Sequence, residues 1–179
     1  LAKTDTAVFD KTGTLTTGVF EVTQINAKLA EDEFLSLCAY AEHFSNHPIA
    51  SAIKKACGEE INESLIESFE EVRGKGISVV IGGKKVLAGN KRLLEENGIT
   101  AENPDCIGTV VHFALDGEYA GYLVVSDVIR NTKGLEKLKK IGYKTVMLTG
   151  DLKSIAEKTA EKIGIDEVHA ELLPQDKVR

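Results

Sequence analysis

The chain opens with a short apolar run, Ala7-Val8-Phe9, cut by the polar, glycine-containing stretch Asp10-Lys11-Thr12-Gly13-Thr14. That pattern predicts the end of a buried strand feeding a loop. Residues 19–25 alternate weakly and predict a second strand. Across 31–44, Phe34, Leu35, Cys38, Ala41 and Phe44 fall at helical spacing behind an acidic first turn, so an amphipathic helix is expected. A second helix is predicted over 48–57, with Pro48 in the tolerated first turn and Gly58 as its stop. Apolar runs at 65–72, 77–81 and 85–88 read as strands, the last two joined by a Gly82-Gly83 turn. Asn90 is placed to cap a helix that Gly98 ends, and residues 100–105 form a polar loop. Strands at 109–115 and 119–125 flank Asp116-Gly117, a tight hairpin signal.

From Ser126 onward the pattern changes to a helix at 131–141, a strand at 144–148, a helix at 152–163 and a strand at 167–170. Such alternation implies a parallel sheet with helices on its faces. The fold class is therefore α/β. A Rossmann-like parallel-sheet domain is expected from residues 1–22 and 123–179, and an inserted α+β domain with an antiparallel sheet from residues 23–122.

Composition narrows the function. With 179 residues and 42% hydrophobic content, the chain can bury one large core or two small ones. The net charge of −6 and the lack of a basic stripe argue against a nucleic-acid partner. Acidity concentrates in residues 23–122, with nine Lys or Arg against sixteen Asp or Glu. Cys38, Cys57 and Cys106 form no C-x-x-C pair and read as free thiols of a reducing compartment. No signal peptide is visible, and no apolar run approaches the ~20 residues that cross a bilayer. A start without Met that enters a strand almost at once reads as an excised, soluble fragment.

The chemistry centres on Asp10. An aspartate at the carboxyl edge of an α/β sheet sits where loops and helix N-termini leave N–H groups facing anions. It is ionised at neutral pH and fits a carboxylate nucleophile, provided that cations neutralise an incoming phosphoryl group. Lys11, a Mg²⁺ and a more distant lysine are the expected cations. Thr12, two residues on, is a poor acid and a poor base, so an aspartyl-phosphate at Asp10 should hydrolyse slowly. Thr149-Gly150-Asp151 is a second apolar strand ending in a glycine loop before a helix. There Thr149 can offer a hydroxyl to a phosphoryl oxygen, or Asp151 can serve as a helix N-cap. His43 and His47 are four residues apart, open to a metal pair or to a structural role at a helix junction. Gly74 and Gly76 permit close approach of backbone to a ligand phosphate, or a β-bulge.

DKTGT at 10–14 resembles the phosphorylation loop of P-type ATPases, cation pumps that pass through an aspartyl-phosphate. Other segments agree in order. Glu42 with His47-Pro48, then Gly74, Gly76, Gly89 and Asn90, is similar to the ATP-binding signature of the heavy-metal pumps, and the resemblance implies that the acid and histidine hold the adenine end. Thr149-Gly150-Asp151 resembles the TGD motif of these pumps and of the wider haloacid-dehalogenase-like superfamily, departing at Leu152 where Asn is common. Asp127-Val128-Ile129-Arg130 resembles the D-x-x-R/K segment opening the returning phosphorylation domain, with Asn131 in place of the usual Pro. Pro174-Gln175-Asp176-Lys177 resembles P-x-D-K, which makes Lys177 the second cation.

The resemblance implies a haloacid-dehalogenase-type domain, truncated at its C-terminus, carrying a nucleotide-binding domain. ATP and Mg²⁺ are the implied cofactors, with Asp10 and Thr12 giving an incomplete Mg²⁺ site because the acidic G-D-G-x-N-D loop does not follow. Implied partners are the transported heavy-metal ion, zinc or cadmium ahead of copper, and the membrane and actuator domains of the same protein. The expected location is therefore the cytoplasmic side of a membrane protein. The fragment is expected to bind ATP, to turn over poorly, and to leave a sheet edge exposed. Two rivals are a soluble phosphatase with a cap domain, against which Thr12 counts, and a non-catalytic nucleotide-binding module.

Overall fold

In the computed structural model, which describes residues 5–130 and 132–173, the first apolar run becomes strand β1 (Thr6–Asp10). It lies parallel to β8 (Lys144–Leu148), with Asp10 opposite Leu148. In turn β8 lies parallel to β9 (Glu167–His169), giving the order β1-β8-β9. Helices α4 (Lys133–Lys140) and α5 (Lys153–Ile163) accompany these strands. Ala156, Ala160 and Ile163 recur along one face of α5 and bury with Leu15, Leu135, Met147 and Ile165 in one apolar cluster. Asp166 ties this layer together. It accepts hydrogen bonds from the Thr145 amide (2.8 Å) and hydroxyl (2.7 Å) and pairs with Lys139 at 2.7 Å. That ammonium and those donors hold its carboxyl far below the usual carboxylate range. Among the described residues β1 is an edge of its sheet, with Val8 57% exposed.

The rest forms a second unit around a six-stranded sheet of order β2-β7-β6-β5-β4-β3. Its strands are β2 (Thr16–Ala27), β3 (Ile66–Val72), β4 (Gly76–Ile81), β5 (Lys84–Gly89), β6 (Thr109–Leu115) and β7 (Glu118–Ile129). The hairpins β3/β4, β4/β5 and β6/β7 are antiparallel, as is the pair β5/β6. Helix α1 (Glu31–Ala41) lays Phe34, Cys38 and Ala41 onto one sheet face, and α2 (Pro48–Cys57) adds Ala52 and Ile53. Phe34 meets Phe113 edge to face at 5.6 Å in the middle of that core. Helix α3 (Lys91–Glu96) covers part of the other face, burying Leu93 and Leu94 against Leu87 and Ala114. Cys38, Cys57 and Cys106 are free thiols. No described helix is long and apolar enough to cross a membrane.

The chain divides into Leu1–Val19 with Asp127–Arg179, and Phe20–Ser126. These borders fall inside β2 and β7, a few residues from the expected 22/23 and 122/123. The side chains explain the offset: Phe20 and Val22 pack on the core of the second unit, whereas Asp127 binds Thr16 and Gly18 of the first. Two helices are shorter than expected. The one predicted over 31–44 stops at Ala41, with Glu42 as its C-cap, and beyond it Lys54 of α2 donates to the carbonyls of His43 and Ser45. The one predicted over 131–141 runs Lys133–Lys140 behind Thr132; Asn131 lies outside the described residues.

Candidate functional site

In the first unit the site is built from the ends of two adjacent parallel strands. Asp10 is the last residue of β1 and is exposed, and Thr149 directly follows β8. Between β1 and β2, Thr12 (φ −75°, ψ 125°) and Gly13 (φ 78°, ψ −9°) occupy the central positions of a type II turn, whose second position requires positive φ. Glycine at 13 meets that requirement, and the turn bends the chain back directly behind Asp10. The Lys11 carbonyl accepts from the Thr16 amide, which closes the loop.

The returning segment pins this turn. Arg130 Nη2 donates to the Gly13 carbonyl at 3.1 Å, Arg130 Nε to the Thr16 carbonyl at 2.9 Å, and the Arg130 amide to the Leu15 carbonyl at 2.9 Å. Asp127 accepts from the Thr16 hydroxyl through one oxygen and from the Gly18 amide, at 2.9 Å, through the other. A guanidinium fork suits two carbonyls that diverge, and a carboxylate suits two donors.

The Thr149-Gly150-Asp151 turn is braced in a similar way. Thr149 is buried; its amide donates to the His169 carbonyl at 3.0 Å, and its hydroxyl accepts from the Asp151 amide at 3.1 Å. The Leu172 amide donates to the Thr149 carbonyl and the Glu171 amide to that of Asp151. A Cβ on Gly150 would lie 3.2 Å from the Leu172 carbonyl, a tight fit. Asp151 does not cap α5, whose N-cap is Leu152. Its Oδ2 instead lies 2.6 Å from Lys11 Nζ, and beyond that ion pair this buried oxygen has no hydrogen-bond donor among the described residues. Lys11 is only 13% exposed, so its charge is held inside the site. Lys177 lies outside the described residues.

The second unit carries the other candidates. Glu42 is buried at the end of α1, and burial pushes its carboxyl up from the ordinary range while Ser45 and Lys54 pull it back down. His47 is the N-cap of α2. Its Nδ1 accepts from the Ile49 amide at 3.2 Å, so in the neutral ring Nε2 carries the proton and is the donor left for a ligand. His43 instead pairs with Glu63 at 2.8 Å, and no three His, Cys, Asp or Glu side chains group around a metal among the described residues.

Gly74 sits in the turn between β3 and β4, where a Cβ would meet open space. Gly76 and Gly89 face each other across β4 and β5. Asn90 caps α3 through Oδ1, which accepts from the Leu93 amide at 3.1 Å, while its Nδ2 donates to the Gly74 carbonyl at 3.1 Å. Gly74, Gly76, Gly89 and Asn90 are thus gathered at one end of the β4/β5 hairpin. Sequence reasoning missed Thr16 and Lys54, and gave no role to Asp127 and Arg130. The D-x-x-R pattern at 127–130 marked the returning segment but not its partners at Gly13, Thr16 and Gly18, and nothing local marks Lys54, whose two carbonyls lie in the preceding loop.

The family described as haloacid dehalogenase-like hydrolases matches residues 4–179. The zinc-transporting ATPase of Synechocystis sp. is 46% identical over 183 residues, covering 99% of this chain and 25% of that protein. The cadmium, zinc and cobalt-transporting ATPase of Bacillus subtilis is 47% identical over 177 residues, covering 96% and 25%. A crystal structure of a zinc-transporting PIB-type ATPase in the E2.Pi state matches with a TM-score of 0.81 at 30% identity, over 98% of this chain and 30% of that one. The chain therefore spans about a quarter of the length of the two curated relatives.

Proposed function

The chain belongs to the haloacid dehalogenase-like hydrolases, and from that premise we propose that it is the catalytic portion of a heavy-metal-exporting P-type ATPase. The observation that carries this reading is the meeting of Asp10 and Thr149-Gly150-Asp151 at the ends of adjacent parallel strands, with the Lys11–Asp151 ion pair between their loops. In the proposed reaction an Asp10 carboxylate oxygen attacks the γ-phosphorus of ATP. The bridging bond to the β-phosphate breaks and ADP leaves with its electron pair. Water then cleaves the acyl-phosphate, restoring Asp10 and releasing phosphate.

Lys11 would supply positive charge near the transferred group, Thr149 and the Gly150 amide would supply donors, and Lys177, outside the described residues, is the proposed second cation. The donor set fits Mg²⁺ in part: Asp10 and an oxygen of Thr12 would hold it, with phosphate oxygens and water completing its coordination. Bound there, Mg²⁺ would neutralise charge developing on the phosphoryl oxygens. Thr12, unable to act as a proton donor or base at neutral pH, favours a long-lived phosphoenzyme over the rapid turnover of a phosphatase.

In the inserted unit, Glu42 would accept from the adenine amino group and His47 Nε2 would donate to the nucleotide. Gly74, Gly76, Gly89 and Asn90 would border it. Zinc or cadmium is the proposed cargo, in keeping with the zinc-transporting and the cadmium, zinc and cobalt-transporting relatives. It would cross through a membrane part of the same protein, coupled by an actuator domain, with this catalytic portion on the cytoplasmic side.

Calorimetric titration with ATP, ADP and GTP tests the reading. Adenine-selective binding is expected that weakens at least tenfold in His47→Ala and survives in Asp10→Asn. Loss of the His47 cap costs about 1 kcal/mol of stability, so circular dichroism must first show the variant folded. No nucleotide binding by a folded chain would remove the assignment of Glu42 and His47.

A further inference from the structure

The two candidate base-binding residues stand at opposite ends of the segment joining α1 to α2, and something must hold that segment in shape. Its ends are fixed: the Glu42 amide donates to the Cys38 carbonyl at 3.0 Å, and His47 caps α2. Its interior has little regular structure. The His43 amide reaches the Tyr40 carbonyl at 3.3 Å and the Ser45 amide reaches that of Glu42 at 3.1 Å. Two interior carbonyls, those of His43 and Ser45, are instead met by one side chain, Lys54 Nζ, at 3.1 and 3.3 Å.

We propose that Lys54 is a positioning residue for nucleotide binding, holding the backbone of residues 43–45 so that Glu42 and His47 are presented to the base in one arrangement. This rests on the reading of the inserted unit as a nucleotide site. An ammonium has three donors and no acceptor, which matches a point where two carbonyls converge with no backbone amide to spare. Lys54 lies in the last turn of α2, where a cation is also favoured by the helix dipole, so its placement costs the helix nothing.

The clamp also acts through charge. Burial disfavours the ionised form of Glu42, and the groups acting on it are the Ser45 hydroxyl and the Lys54 ammonium. The Cys38 thiol, one turn back on α1, is buried and itself pushed up by burial, so it adds no charge at neutral pH. Lys54 thus favours the carboxylate that would accept the adenine amino group, and removing it should alter the pH at which that acceptor is lost.

The test is calorimetric ATP titration of wild type, Lys54→Met and Lys54→Arg between pH 5.5 and 8, with hydrogen exchange of residues 43–47 in the absence of nucleotide. Methionine keeps the stem and the helix propensity of α2. In Lys54→Met, ATP affinity should fall about tenfold and its acid-side decline should move to higher pH. Exchange at 43–47 should also rise, and Lys54→Arg should recover most of the affinity. Wild-type affinity in Lys54→Met, or a loss that leaves the pH profile in place, overturns the proposal. Failure of folded wild type to bind ATP overturns the nucleotide reading itself, and the proposal with it.

Discussion

Gly76 and Gly89 are directly opposed in the β4/β5 ladder, and each is required by the other's backbone. A Cβ on Gly76 would lie 2.1 Å from the Ala88 carbonyl oxygen and 2.5 Å from the Gly89 Cα; one on Gly89 would lie 2.2 Å from the Lys75 carbonyl oxygen. No rotamer relieves contacts of that kind, because both parties are main chain. Gly74 differs: its φ is +70°, but a Cβ there meets nothing within 4 Å. The two glycines of the G-x-G pair therefore separate by substitution. Gly76→Ala should destabilise the six-stranded unit by about 2–3 kcal/mol. Gly74→Ala should cost about 1 kcal/mol of backbone strain and, if nucleotide lies against that turn, lose affinity with little loss of stability. Urea unfolding paired with calorimetry separates the two. A Gly76→Ala chain of wild-type stability would remove the steric account.

At the scale of elements, the loop carrying Asp10 is shaped from a distance. Its type II turn is local, set by Thr12 and Gly13, but its anchoring comes from Asp127 and Arg130, 111 to 117 residues further along the chain. Arg130→Met should free the Gly13 and Thr16 carbonyls. Amide exchange across residues 11–16 should then accelerate roughly tenfold, while β4 to β6 stay protected. Unchanged exchange in the loop would show that the turn holds itself. The same division between local and distant causes decides what was legible in the sequence. Strand β1, the hairpins at Gly82-Gly83 and Asp116-Gly117, the start of α2 at Pro48 and the Asn90 cap of α3 were legible, because periodicity and turn chemistry act within a few residues. The end of α1 at Ala41 was not, because Phe44 keeps the helical spacing yet packs on Phe69 from the loop beyond the helix. The pairing of Lys11 with Asp151 was equally hidden: residues 140 apart in the chain meet only because the register of β1 on β8 puts the two loops side by side. The opposition of Gly76 and Gly89 was hidden too, since a G-x-G pair alone reads equally as room for a ligand or as a β-bulge.

At the scale of the whole molecule, the two units bury separate cores. The smaller gathers Leu15, Leu135, Met147, Ala156, Ala160, Ile163 and Ile165. The larger sets α1 and α2 on one face of six strands and α3 on the other. Apolar burial is the main stabilising term, and a core that gathers fewer buried side chains leaves less to set against chain entropy. The unit with the three-stranded sheet should therefore unfold first, and heating should give two transitions rather than one. A ligand that binds only the folded six-stranded unit stabilises that unit alone. At 100 times its Kd, ATP would add about 2.7 kcal/mol, which for a unit of this size raises the upper transition by about 10 °C and leaves the lower one in place. Scanning calorimetry, with hydrogen exchange to assign each transition, makes the comparison. A single transition that moves as a whole with ATP would mean that the units melt as one cooperative block. A lower transition that moves while the upper stays would transfer the nucleotide site to the unit of Asp10, and Glu42 and His47 would lose their proposed role.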